Sequence, residues 1–461
     1  MTFASDSGFR ISASGGQILS GSGFLALAKA ESVKLKLRFA KTSPYIILPA
    51  ENSAVSLIRI YATWLAGFTP VLISPDATAN EIKDYKSQLA RETKIYSKLL
   101  LKKKEIAGIK SGLKLKPFIL PPRKEAVIIF TSGSTGKPKG IIHTFGSLIA
   151  SAVLQNKLMK SGENSEWLMS LPLYHIGGFM IFFRAMLSGS GLYIAEKSGA
   201  GYLKELLPQK EITHLSLVPA QCSELLRTPE VFKRVKCLLL GGGPVEKKII
   251  IELRKRKIPT QIIYGSSETA AFCSSVKPEE VKNPKRLGTK PLRGMRFMAI
   301  DEYRKPLLSD QEGRIVISSQ GLFKGYTTGD QESFFEYRRR RFYITSDMGY
   351  IDSDGFIHIT RRADSIIITG GKKVSVSEVE KTLVEIAGVT EAKVFGTKDD
   401  YWGEMVCAAV AANGISSEFL IYALKKKLSG FKIPKNWLIM RELPKTGLGK
   451  TDTAALIRMI S

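Results

Sequence analysis

AVIIFTSGSTGKPKG (residues 126–140) joins an apolar run to a ten-residue loop, 131–140, that holds three glycines, four hydroxyls and two lysines. The run reads as a buried strand. The loop that leaves it reads as an anion cradle: glycine lets backbone N–H groups turn inward, hydroxyls add donors and lysine adds charge. It is not a Walker loop, because Gly133 stands only three positions before Gly136 and Lys137 is followed by Pro138. A generic Gly/Ser string is usually a surface loop, but the length and composition of this one favour phosphate binding.

Outward from that strand the alternation of short apolar runs and helical stretches continues. YIILPA leads through an amphipathic stretch to PVLIS between residues 45 and 75, and further apolar runs fall at 214–219, 237–240 and 260–264. This β-α-β texture predicts a doubly wound α/β body with a parallel sheet. From about Arg286 short strands with turn residues take over (EGRIVISSQ, GYIDSDGFIHIT), predicting a smaller β-rich subdomain. Beyond Arg361 helices are expected over 376–386 and 418–428 and strands over 392–395 and 405–410, a small α+β unit. The expected division is 1–361 and 362–461.

At 461 residues, with 44% hydrophobic and 24% charged, the chain is long enough for more than one core and is not of the disordered class. The net charge of +27 suits polyanionic small substrates drawn in by the field. Nucleic-acid or anionic-membrane binding is the competing reading, prompted by the runs 102–104, 254–257 and 338–341. These are scattered and lack interleaved aromatic platforms or zinc ligands, so they read as solvated faces and no nucleic-acid partner is expected. Four dispersed cysteines without a CxxC pair argue for reduced thiols and a cytoplasmic location. Arg59 and Pro70 interrupt one apolar stretch, His175 and Arg184 another, so neither reads as a membrane span.

In chain order after TSGSTGKPKG come LPLYHIGG (171–178), LLLGGGPV (238–245), YGSSET (264–269), YITSDMG (343–349), RRADSIIITGGKKVSVSEVE (361–380) and PKTGLGK (444–450). Together these resemble the adenylate-forming superfamily of acyl-CoA synthetases, luciferases and peptide-synthetase adenylation domains, over nearly the whole chain. The resemblance implies a large N-terminal domain of doubly wound sheets with a β-rich subdomain and a small mobile α+β C-terminal domain. It further implies ATP, Mg2+ and coenzyme A as co-substrates and cofactor, with a small-molecule carboxylic acid as the group activated. A homo-oligomer is compatible with it.

Carried over residue by residue, the resemblance assigns the phosphate loop to Thr131, Ser132, Gly133, Ser134, Thr135, Gly136 and Lys137. The adenine pocket falls to Gly241, Gly242, Gly243, Tyr264 and Gly265, where bare backbone and an aromatic ring would receive the base; ordinary strand-end turns are the plainer alternative. Ser267 stands where the family has a threonine on the α-phosphate. Glu268 matches the magnesium ligand, a hard carboxylate, and Asp347 the ribose ligand. Arg362 and Asp364 match an arginine near the nucleotide and a hinge aspartate. Gly370 and Gly371 would border the coenzyme A tunnel. Lys450 matches the catalytic lysine. Two departures, Ser346 and Arg361, each replace a family glycine.

LPLYHIGGFMIFFRAMLSGSGLYI, THLSLVPAQCSELL and VKCLLLGGGPV narrow the acid, because they look like the o-succinylbenzoate–CoA ligases of menaquinone biosynthesis. His175 would line the acyl pocket and join the catalytic set. Arg184 would receive a second carboxylate, since a buried guanidinium needs an anionic partner; an internal salt bridge is the competing reading. Another aryl- or acyl-CoA ligase, or an adenylate-binding protein without catalysis, stands as the alternative.

Overall fold

The computed structural model describes residues 2–3, 8–13, 18–39, 43–89, 93–100, 118–132, 138–284, 286–329, 332–363, 366–369, 372–399, 402–446 and 449–460. Three main sheets carry them, with six, fourteen and five strands. In the six-stranded sheet, Lys94–Ile95, Tyr45–Pro49, Thr69–Ile73 and Glu125–Ser132 lie parallel, and Pro138–Thr144 turns back antiparallel. The strand Glu125–Ser132 is therefore central and buried, as its unbroken apolar run requires.

The fourteen-stranded sheet has a parallel core: Arg10–Ala13, Gly191–Ile194, Glu166–Met169, His214–Leu217, Cys237–Leu240 and Thr260–Tyr264 in spatial order. The β-rich texture after residue 286 is continuous with this sheet. Ser274–Val276, Gly288–Pro291, Ile357–Arg362, Arg340–Ile351, Gly313–Ser318 and Arg296–Ile300 extend it antiparallel.

Trp64 shows how the two large sheets are locked together. Fully buried on the helix Ala54–Leu65, it lies 5.3 Å from the Phe145 ring and 6.3 Å from both Phe179 and Phe182. Its indole N–H donates to the Ala126 carbonyl at 2.6 Å, near the start of the strand Glu125–Ser132. Burying each such ring contributes roughly 1.5–3 kcal/mol. The helix Phe145–Met159 is opened by a Thr144 capping box and closed by Lys160 in the left-handed region. The neighbouring helix Ile176–Ser188 ends at Gly189, also left-handed.

After Arg362 the chain leaves the large sheet, and Ile366–Thr369 begins the five-stranded one. There the helices are Val376–Val384 and Ser417–Lys425, shorter than expected, and the strands Val389–Asp399 and Gly403–Ala412 are longer. Those two strands pair over their whole length, and this pairing carries them through polar residues that break the apolar pattern. No helix among the described residues is long and apolar enough to cross a membrane.

Two basic runs are less solvated than expected. Arg254 donates to the carbonyls of Pro278 (2.6 Å) and Val281 (2.7 Å), and Arg341 stacks 3.4 Å from the Phe334 ring centre while donating to the Lys324 carbonyl. A guanidinium is weakly hydrated enough for both uses. Residues 102–104 lie outside the described residues.

Candidate active site

The carboxyl ends of His214–Leu217, Cys237–Leu240 and Thr260–Tyr264 meet the amino end of the helix Ile176–Ser188, where open α/β sheets place their ligands. A cavity of about 180 Å³ opens there, lined by His175, Arg184, Gly241, Gly242, Gly265, Ser267 and Lys450 among others. Residues from four separate sequence motifs thus line one cavity. Gly242 adopts a φ of +81°, the left-handed region in which a side chain is strained. At Gly265 a Cβ would meet the Ala271 carbonyl oxygen at 2.4 Å, so only glycine admits the close crossing of the two backbones.

On one side of the cavity polar groups are already paired with one another. The Tyr264 hydroxyl donates to Asp347 Oδ2 at 2.6 Å, and Arg362 Nη1 stands 3.9 Å from Asp347 Oδ1. Asp347 and Arg362 are register partners on adjacent strands, which fixes the pair. Glu268 accepts from the Tyr326 hydroxyl at 2.9 Å. His143 is fully buried; its Nε2 bonds the Ser267 carbonyl at 2.7 Å and its Nδ1 the Ser147 hydroxyl at 3.1 Å.

Lys450 sits on a tight loop in which the Thr446 N–H donates to the Lys450 carbonyl at 2.7 Å and Gly449 has a φ of +71°. Loss of water and the like charge of Arg362 both push its pKa down. The His175 ring lies 4.5 Å from that of Tyr174, tilted by 47°, and leaves its buried Nε2 without a hydrogen-bond partner. Burial, and secondarily Lys450, lowers its pKa to about 4.

Arg184 lines the same cavity. It is 1% exposed, donates to Gln155 Oε1 at 3.1 Å and lies between the rings of Trp167 (4.9 Å) and Phe272 (5.8 Å). Among the described residues no carboxylate comes within ion-pairing distance, and its Nε has no hydrogen-bond partner. The internal salt bridge considered from the sequence is thus not what holds it. Burial lowers its pKa to about 9, which leaves it charged at neutral pH.

Of the other residues singled out from sequence, Thr131 is the next-to-last residue of the central strand, half-buried, and Ser132 is described by its backbone alone. Gly243 follows Gly242 on the turn after Cys237–Leu240. Gly133, Ser134, Thr135, Gly136, Lys137, Asp364, Gly370 and Gly371 lie outside the described residues. The two departures from the motif pattern are both engaged: the Ser346 carbonyl accepts from the Ala363 N–H at 2.6 Å, and Arg361 Nε pairs with Glu312 at 3.4 Å.

The pattern of the family described as AMP-binding enzyme matches residues 16–327, and that of the AMP-binding enzyme C-terminal domain matches 378–450. The chain belongs to the AMP-binding enzyme family. It is 32% identical over 336 residues to a 2-succinylbenzoate–CoA ligase of Geobacillus sp. (strain WCH70), covering 70% of this chain and 67% of that one. In fold it is similar to o-succinylbenzoate CoA synthetase from Bacillus subtilis in complex with the acyl-adenylate intermediate OSB-AMP (TM-score 0.79, 24% identity, 96% and 93% of the two chains). ATP-bound MatB from Rhodopseudomonas palustris superposes comparably (TM-score 0.80, 22% identity, 98% and 96%).

In this AMP-binding enzyme several site residues escaped the sequence reading: His143, Gln155, Ser216 and Tyr326. His143 and Ser216 lie on buried strands, Gln155 on a mostly apolar helix and Tyr326 on a two-residue strand, and in sequence none is distinguishable from a satisfied core group. The run Ile141, Ile142, His143 gave no sign of Ser267, 124 residues away.

Burial also pushes His143 down to about 4, outweighing its bond to Ser267 and the charge of Glu268. The folded pKa lies below the ordinary value of 6.5, so this stabilisation is whole above 6.5 and is lost as pH falls towards 4. Roughly 3 kcal/mol is at stake. Urea midpoints measured from pH 7 to 4.5 should fall more steeply in the wild type than in His143→Gln. Equal slopes would remove His143 as the cause.

Proposed function

We propose that the chain is an AMP-forming acid–thiol ligase that activates o-succinylbenzoate as its acyl-adenylate and passes the acyl group to coenzyme A. Arg184 carries this reading: a buried cation without an acidic partner among the described residues, on the wall of the cavity that Lys450 also lines. Such a cation awaits an anion brought by the ligand. A substrate with two carboxylates would satisfy both ends, its ring carboxylate at Arg184 and its succinyl carboxylate towards Lys450. The apolar wall of Leu171, Ile176 and Phe272 suits the aromatic ring between them.

The reaction follows from what the residues can do. The succinyl carboxylate attacks the α-phosphorus of ATP in line, forming the acyl–phosphate bond as the bond to pyrophosphate breaks. Lys450 neutralises charge on the α-phosphoryl oxygens, and Tyr264 and Arg362 set Asp347 to accept from the ribose hydroxyls. His175, neutral at neutral pH, borders the carboxylate without adding a charge to the site. Coenzyme A thiolate then attacks the acyl carbon and AMP leaves. For that step we place a rotation of residues 362–461 about Asp364 against residues 1–361, with Gly370 and Gly371 at the thiol's path. The cytoplasm is the proposed compartment, in keeping with four buried, unpaired cysteines.

Magnesium fits as an ion that arrives on ATP. Among the described residues no group of three acidic, histidine or cysteine side chains could hold a metal by itself. Glu268, oriented by Tyr326, offers one hard carboxylate, and an ion that keeps phosphates and water as its other ligands needs little more. When bound it would neutralise the departing pyrophosphate. Glu268→Gln should raise the magnesium concentration needed for half-maximal adenylation by about tenfold or more, as loss of a charged ligand predicts. An unchanged magnesium titration would remove Glu268 from that role.

The deciding assay is ATP-dependent pyrophosphate release across a panel of acids, with and without coenzyme A. Turnover confined to o-succinylbenzoate supports the reading. Equal turnover of benzoates or fatty acids leaves another acyl-CoA ligase in its place.

A further inference from the structure

The helix Phe145–Met159 sends one fully buried amide, Gln155, between the two halves of the site. Its Nε2 donates to the carbonyls of Ala270 and Phe272, each at 3.0 Å, and its Oε1 accepts from Arg184 Nη1 at 3.1 Å. The amide can point only this way, because carbonyls only accept and a guanidinium only donates. All three partners would be lost by a flip.

The loop held by this amide is the one that bears Ser267 and Glu268. It contains two successive alanines at positive φ, Ala270 (+53°) and Ala271 (+83°). Side chains seldom adopt that region, so such a loop persists only where its surroundings determine it. His143 holds it at the Ser267 carbonyl and Gln155 at the Ala270 and Phe272 carbonyls. Gln155 is the member that also touches the cation of the acid pocket.

We propose that Gln155 is a positioning residue that couples recognition of the substrate's distal carboxylate at Arg184 to the placement of Ser267 and Glu268 against the nucleotide. The inference rests on the reading of Arg184 given above. Trp167 and Phe272 flank the guanidinium and Gln155 fixes one of its ends, so its unpartnered Nε edge is held in one orientation. An anion that draws on that edge loads the same amide that anchors the Glu268 loop. By linkage, a change at either end is felt at the other.

The test compares kcat/KM for o-succinylbenzoate with that for 4-oxo-4-phenylbutanoate, which lacks the ring carboxylate, together with the KM for ATP. Gln155→Met keeps the volume and removes all three bonds. Gln155→Glu keeps an acceptor for Arg184, gives up both donated bonds and sets a competing carboxylate on the guanidinium. In both variants the diacid-to-monoacid ratio should fall by about tenfold or more and the ATP KM should rise by about threefold or more. If Gln155→Met does not fold, Gln155→Glu is read by the same criteria. A purely structural amide would lower melting temperature and slow both acids equally, with ratio and ATP KM unchanged; that result overturns the proposal. A wild-type enzyme without preference for the diacid refutes the substrate reading and this inference with it. Wild-type preference that survives in both variants overturns this inference alone.

Discussion

Lys450→Ala is expected to slow acyl-adenylate formation by about 10²–10³-fold, the usual cost of removing one preorganised partner of developing charge. Lys450 is the one ammonium among the described residues lining the cavity, and desolvation there would strengthen its interaction with phosphoryl oxygen. The effect should be confined to one half-reaction. Single-turnover pyrophosphate release from ATP and o-succinylbenzoate should collapse, while thioester formation from supplied acyl-adenylate and coenzyme A stays within about threefold of wild type. Equal losses in both half-reactions would mean that Lys450 supports the fold of its loop and does not act on the α-phosphate. The tight Thr446–Lys450 turn is made by backbone atoms, so the alanine variant should retain it.

The second large effect is expected at Arg184. Replacing it with methionine removes a buried charge that has no acidic partner among the described residues, so folding stability should hold or rise even though Gln155 Oε1 loses a donor. Activity should move the other way. A desolvated carboxylate left without its cation costs about 3–5 kcal/mol, so kcat/KM for o-succinylbenzoate should fall by at least about 100-fold. The monoacid, which never used the guanidinium, should change by less than about threefold. Melting temperature and the two specificity constants, measured on the same preparation, separate the outcomes. Loss of stability with parallel loss for both acids would return Arg184 to a structural role. This opposition is the stability–function trade-off expected where a site is kept unsatisfied for its ligand.

Local chemistry made much of the fold legible. Runs such as AVIIF and CLLL are too short for helices and apolar throughout, so they could only be strands covered on both faces. The strings 264–269 and 444–450 stood out by their resemblance to family motifs, and their glycines and hydroxyls suit backbone approach and turning. Gly242 and Gly265 stand where a side chain would be strained or would collide. The helices 376–386 and 418–428 were read too long for a related reason. Propensity continues past Val384 and Lys425, and only the packing of the five-stranded sheet decides where the backbone turns.

What the sequence determined by itself is the α/β alternation and the anion-binding composition of 131–140, while Glu268, Asp347, Arg362 and Lys450 were picked out by the resemblance of short, ordered motifs. Each depends on neighbours a few positions away. Only the tertiary structure decided the pairings across long separations. Arg184 meets Gln155 across 29 residues, Gln155 reaches Ala270 across 115, and Tyr264 meets Asp347 across 83. A buried polar group must find a partner, but its own sequence context does not say which one, because that choice is made when strands and helices from distant parts of the chain pack against one another.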